Sequence, residues 1–91
     1  MEFEWNKEKR QSNLEKHGVD IFIAAFIFDG PTLTTKDDRH DYGETRYRST
    51  GMVDDICYVV IHTNRNGVTR LISAWQGGRR DRRKLEAHIS R

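Results

Sequence analysis

Residues 56–75, "ICYVVIHTNRNGVTRLISAW", decide the fold. Two runs rich in β-branched and aromatic side chains, "ICYVVIHT" and "VTRLISAW", flank Asn66-Gly67. That dipeptide suits a tight two-residue turn, in which both central residues need positive φ. The stretch therefore reads as a β-hairpin. Upstream, "TRYRSTGM" (residues 45–52) reads as a further strand, joined to "ICYVVIHT" around Asp54-Asp55. "TLTT" (32–35) reads as a short edge strand, separated from it by the polar loop "KDDRHDYGE" (36–44).

Outside this meander the pattern changes period. "EFEW" (2–5) alternates acids with Phe3 and Trp5, as a half-buried strand does. Asn6 is a suitable N-cap for a helix through "KEKRQSNLEKH", and Gly18 a suitable left-handed stop. Leu14 is its main apolar position, so a surface helix with a narrow buried stripe is expected. Asp20 can cap "IFIAAFIF", whose β-branched residues would also suit a strand. The Ala24-Ala25 centre and the Phe22/Phe26 spacing favour a helix, which "DGP" (29–31) ends. From Gly78 onward a last helix places Leu85 and Ile89 on one face. The order is a strand, two helices, an antiparallel meander of three or four strands, then a helix. That is an α+β fold in a single domain spanning residues 1–91.

Net charge is only +2, yet residues 1–61 carry −4 and residues 62–91 carry +6. Such an imbalance suggests a polyanion-binding end on an acidic body. The single Cys57 excludes an internal disulfide, and its apolar run suggests a buried thiol. There is no run long enough to span a membrane and no signal-peptide core in "MEFEWNKEKR". A cytoplasmic protein with no membrane association is expected.

The tail "GGRRDRRK" sets Arg79, Arg80, Arg82 and Arg83 against Asp81 alone at a helix start, where cations oppose the helix dipole. Held phosphate would explain them. So would acidic side chains of a protein partner. More cations stand upstream: Lys16 and His17 at a helix end, Arg46 and Arg48 on one strand, His62 on the next and Arg70 on the last. Strand alternation puts Arg46 and Arg48 on one side, and Arg70, Ile72 and Ala74 on one side. His17, His40, His62 and His88 form no pair at metal-ligand spacing, so no metal and no cofactor are expected. Guanidinium groups bind phosphate bidentately, and an imidazole moves protons near neutral pH. Together they suffice for RNA cleavage by 2′-OH attack without a metal. His17 is equally a helix C-terminal cap, and His62 equally a hydrogen-bonded sheet residue.

At these residues the chain resembles a known family. "FEWNKEKRQSNLEKHGV" (3–19) is similar to the opening of the BrnT toxins of bacterial type II toxin–antitoxin systems, through Phe3, Glu4, Trp5, Lys9, Asn13, Lys16, His17, Gly18 and Val19. Asn6 stands where the family has aspartate. Arg46, Tyr47 and Gly51, then "VVIHT" and "RLISA", continue the likeness. It implies a RelE-like ribonuclease that cuts RNA and inhibits growth. It also implies neutralisation by a ribbon-helix-helix antitoxin, BrnA, which carries the complex to DNA. The tail departs from the pattern: Trp75 stands at an arginine, Gly77 and Gly78 at small residues, Asp81 at a glutamate and Leu85 at a tyrosine. The expected catalytic set is His17, His62, Arg80 and Arg83, with Lys16, Arg46, Arg48, Arg70, Trp75, Arg79 and Arg82 binding RNA. Trp75 either stacks a splayed base or packs on the last helix. The altered tail leaves a second reading, a degenerate module that binds RNA or a partner without turnover.

Overall fold

The computed structural model describes residues 1–39 and 41–90. Five strands form one mixed sheet: β1 (Phe3–Trp5), β2 (Leu33–Lys36), β3 (Tyr47–Val53), β4 (Ile56–Arg65) and β5 (Val68–Gln76), in the order β1-β5-β4-β3-β2. Helices α1 (Lys7–His17) and α2 (Ile21–Ala24) follow β1, and α3 (Arg79–Ile89) closes the chain. The result is the expected α+β fold, consistent with a RelE-like arrangement. The β4–β5 hairpin is its centre, and Asn66 and Gly67 turn it at φ of 54° and 81°. The meander accounts for four strands. The fifth, β1, adds parallel to β5 with Phe3 opposite Thr69 and Trp5 opposite Leu71.

Helix α1 begins as expected: the Asn6 side chain accepts from the Lys9 N–H, and Gly18 ends the helix by donating to the Leu14 carbonyl. Its buried face is not the expected one. Leu14 is 44% exposed, and the buried residue is Asn13. The cause lies on β5. Strand β1 covers the outer edge of β5 only as far as Leu71. Beyond it the Ala74 backbone would be left unpaired inside the protein, which is costly. The Asn13 amide takes the place of the missing strand. Its Oδ1 accepts from the Ala74 N–H (3.1 Å) and the Ser73 hydroxyl (3.0 Å), while its Nδ2 donates to the carbonyls of Ala74 and Val19, each at 2.8 Å. All four hydrogen-bonding sites of the amide are used.

One face of the sheet buries Val60, Leu71 and Ala74 against Val19, Ile21, Ala24, Ala25 and Ile27. The second helical segment is shorter than expected, because α2 tightens into a 3₁₀ helix over Ala25–Asp29. That change of pitch buries Ile27, and Phe22 and Phe26 remain on the exposed side in edge contact with each other. Gly51 makes the close approach possible: a Cβ there would lie 2.7 Å from Ile27 Cβ. On β5 the pairing shifts between Ile61, which faces Ser73, and His62, which faces Leu71. Ile72 is therefore the extra residue of a β-bulge. The expected alternation of Arg70, Ile72 and Ala74 fails here: Ala74 joins Leu71 in the core, and Ile72 turns to the opposite face.

The other face receives α3 through Leu85, which is 1% exposed, whereas Ile89 on the same stripe is 47% exposed near the end of the chain. His62 lies on the α2 side of the sheet, 8% exposed, between the rings of Phe28 and Tyr47. Its Nε2 shares a 2.7 Å hydrogen bond with Ser49 Oγ, which in turn meets Thr34 Oγ1 at 2.7 Å. Burial lowers the His62 pKa, since the charged imidazole is poorly solvated there.

Two stability predictions follow from this packing. Asn13→Ala strands several buried backbone groups, each costing roughly 1–3 kcal/mol when unsatisfied. Urea unfolding should show a loss of about 3 kcal/mol or more, against less than about 0.5 kcal/mol for Leu14→Ala next to it. Equal losses for the two would contradict the edge-pairing role. For His62, the folded state favours the neutral ring, so the unfolded chain binds the proton more readily below its ordinary pKa of about 6.5. Stability is then complete above that value and declines as pH falls through and below it. Denaturant midpoints measured across this range should fall for the parent protein and stay level for His62→Phe.

Candidate functional site

The bulge and the strand edge prepare the floor of a groove on the face away from the main core. Ile61, Ile72, Ser73 and Trp75 line it from β4 and β5. One wall is the C-terminal turn of α1, which brings Lys16 and His17. The other is Arg46 with Arg39, from the loop before β3. The hollow measures about 480 Å³. Because Asn13 ties α1 to Ala74, the same contact that closes the fold places Lys16 and His17 over β5.

The groove arginines are held by carboxylates rather than left loose. Arg39 donates from Nε (2.8 Å) and Nη2 (3.0 Å) to Asp37, a buried aspartate that also receives the Tyr42 hydroxyl at 3.2 Å. The Arg39 hydrogen bonds hold the Asp37 carboxyl below its usual range. Arg46 donates to Glu44 at 3.1 Å and lies over the Tyr42 ring at 4.0 Å. Glu44 also accepts from Arg65 at 2.9 Å, and these bonds, Arg65 first, lower its pKa. Trp75 stands among three cationic or basic groups: Arg48 at 5.6 Å, Arg39 at 5.7 Å and the His17 ring at 6.0 Å.

A second hollow of about 340 Å³ lies beside the first, where α3 meets β2 and β3. Arg48, Arg80 and Lys84 line it around Asp81. The lone acid of the arginine run has two duties. Asp81 Oδ2 accepts from the Gly78 N–H at 3.0 Å, closing the first turn of α3, and Oδ1 accepts from Arg48 at 2.7 Å. The carboxylate thus offsets the cations at this helix start.

The expected site residues divide into groups. Lys16, His17, Arg46 and Trp75 come together in the groove, and Arg48 and Arg80 meet in the adjoining hollow. Arg79, Arg82 and Arg83 are exposed and line neither hollow; Arg82 approaches Glu86 one turn on at 3.7 Å. Arg70 pairs with Glu4 at 3.4 Å on the β1 side. His62 is on the opposite face of the sheet, because Val60, His62 and Tyr58 alternate with Ile61. His40 lies outside the described residues. Among the described residues no three His, Cys, Asp or Glu side chains gather as a metal-binding group. No helix among them is long and apolar enough to cross a membrane. Two cations escaped the sequence reading, Arg39 of the groove and Lys84 of the second hollow. Arg39 sits in a loop that reads as merely polar, and the burial of Asp37 that anchors it leaves no mark in the sequence. Lys84 is one helical turn from Arg80, a spacing that could have revealed it.

A family model described as "Ribonuclease toxin, BrnT, of type II toxin-antitoxin system" matches residues 5–81. No curated protein matches the chain. The matched span holds both walls and the floor of the groove, and it ends at Asp81, three residues into α3. That description implies RNA as the substrate and an antitoxin as the partner. The chain belongs to the BrnT family of ribonuclease toxins of type II toxin–antitoxin systems.

Proposed function

We propose that residues 1–91 act as one domain that cleaves RNA in the groove without a metal ion. The observation that carries this reading is the grouping of one imidazole, His17, with Lys16, Arg39 and Arg46 over a floor open to a polymer. His17 takes the proton of a ribose 2′-OH, and the freed oxygen attacks the adjacent phosphorus. The bond to the 5′-oxygen breaks as Lys16 delivers a proton to it, leaving a 2′,3′-cyclic phosphate. Arg46 and Arg39, already fixed by carboxylates, stabilise the added negative charge of the pentavalent state with little reorganisation. Arg48 and Arg80 hold a flanking phosphate in the second hollow.

The same cations suit an antitoxin whose acidic side chains replace phosphate in the groove, so that neutralisation is occupation of the site. In our reading that antitoxin is a ribbon-helix-helix protein, through which the complex contacts DNA. A partner of this kind would bind with a strong dependence on salt.

Purified protein should cut RNA in the presence of EDTA and spare the all-deoxy strand of the same sequence, with cyclic phosphate on the products. Loss of cleavage in EDTA with recovery on adding Mg²⁺ would overturn the metal-free mechanism. RNA binding with no turnover under any condition would leave a binding module instead. His17→Ala should slow cleavage roughly 10²–10⁴-fold, and Arg46→Ala roughly 10²–10³-fold. Both should keep the parent melting temperature within a few degrees, and Leu14→Ala should cut at the parent rate. Unchanged cleavage by His17→Ala would remove the imidazole from the reaction.

A further inference from the structure

We infer that Trp75 is a base-stacking platform that makes the groove selective for unpaired RNA; this rests on the groove being the RNA site. Trp75 occupies an unusual place for so large an aromatic side chain. It is only partly buried and belongs neither to the core cluster nor to the apolar side chains packed against that cluster. Helix α3 packs mainly on β2, β3 and β4, and Trp75 lines the groove beside Lys16, His17 and Arg39. The indole therefore forms part of the groove floor.

Its neighbours suit a nucleotide. Arg39 and Arg48 approach the ring at 5.7 and 5.6 Å, and each is tied to a carboxylate, Asp37 and Asp81. The two guanidinium groups hold the indole by cation–π attraction. They also belong to different hollows: Arg39 faces the groove with Lys16 and His17, and Arg48 faces the cleft with Arg80. A strand laid across the boundary would place phosphates on cations in both hollows and one base over the indole between them. A base within an A-form duplex cannot turn onto such a floor, because its face is covered by its neighbours. Stacking on one aromatic side chain contributes about 1–3 kcal/mol, equivalent to about 5- to 150-fold in affinity.

The test uses the full chain carrying Trp5→Phe, which leaves Trp75 as the one indole. A 2′-fluoro RNA strand, unable to undergo 2′-OH attack, is titrated as unpaired strand, as duplex and as a strand with abasic positions. The unpaired strand should quench Trp75 fluorescence and bind about 5- to 150-fold more tightly than the duplex. Trp75→Ala should lose a similar factor for the unpaired strand and nothing further when abasic positions are introduced, with Trp75→Phe retaining most of the affinity. The abasic comparison on the Trp5→Phe protein needs no change at Trp75, so it decides the matter even if Trp75→Ala fails to fold. Equal binding of unpaired, duplex and abasic strands would overturn the platform while leaving cleavage in the groove standing. Failure of the parent protein to bind or cut any RNA would overturn both.

Discussion

A single buried amide closes this fold. Strand β5 needs a neighbour on each side, and β1, only three residues long, supplies the outer one as far as Leu71. At Ala74 the Asn13 side chain presents a donor and an acceptor as another strand would, and spends its remaining capacity on Ser73 and Val19. An apolar residue at position 13 would bury more hydrophobic surface but leave the Ala74 N–H and C=O unpaired. The penalty for unpaired buried amides exceeds the gain from a few methyl groups. That balance explains why a helix with so little apolar surface still packs firmly on the sheet.

The same contact has a consequence for the site. Asn13 lies one turn before Lys16 and His17, so anchoring it sets these side chains above Ile72 and Ser73. The bulge at Ile72 then directs side chains into the groove that a regular strand would send to the core. Cations gathered in this space repel one another, and the chain answers with acids placed behind them: Asp37 behind Arg39, Glu44 between Arg46 and Arg65, Asp81 beside Arg48. Each pair fixes a guanidinium without filling the groove.

Histidine shows why residue type alone cannot assign chemistry. His17 and His62 carry the same side chain on different elements, α1 and β4. His17 follows α1 to the groove, whereas strand alternation sends His62 to the core side, where Ser49 and two aromatic rings enclose it. There burial favours the neutral ring. Trp75 is the converse case, a residue whose size suggests the core and whose position leaves it in the groove.

Local signals carried much of the architecture. Asn6, Gly18 and Asp20 mark helix ends through interactions within a few residues, and Asn66-Gly67 sets the hairpin through its own backbone preferences, so all are legible without the fold. The resemblance in "FEWNKEKRQSNLEKHGV" pointed to the family, which the match over residues 5–81 bears out. What could not be read depended on partners distant in the chain. Asn13 is buried because β1 stops short, 61 residues from Ala74 in sequence. Arg39 reaches the groove because Asp37 is buried, and Ser73 and Trp75 face it because a bulge at Ile72 breaks the strand's period. The sequence by itself determined the elements, their order and the surplus of cations. Only tertiary structure decided which cations share a surface, because burial and strand register depend on neighbours that local preference cannot specify.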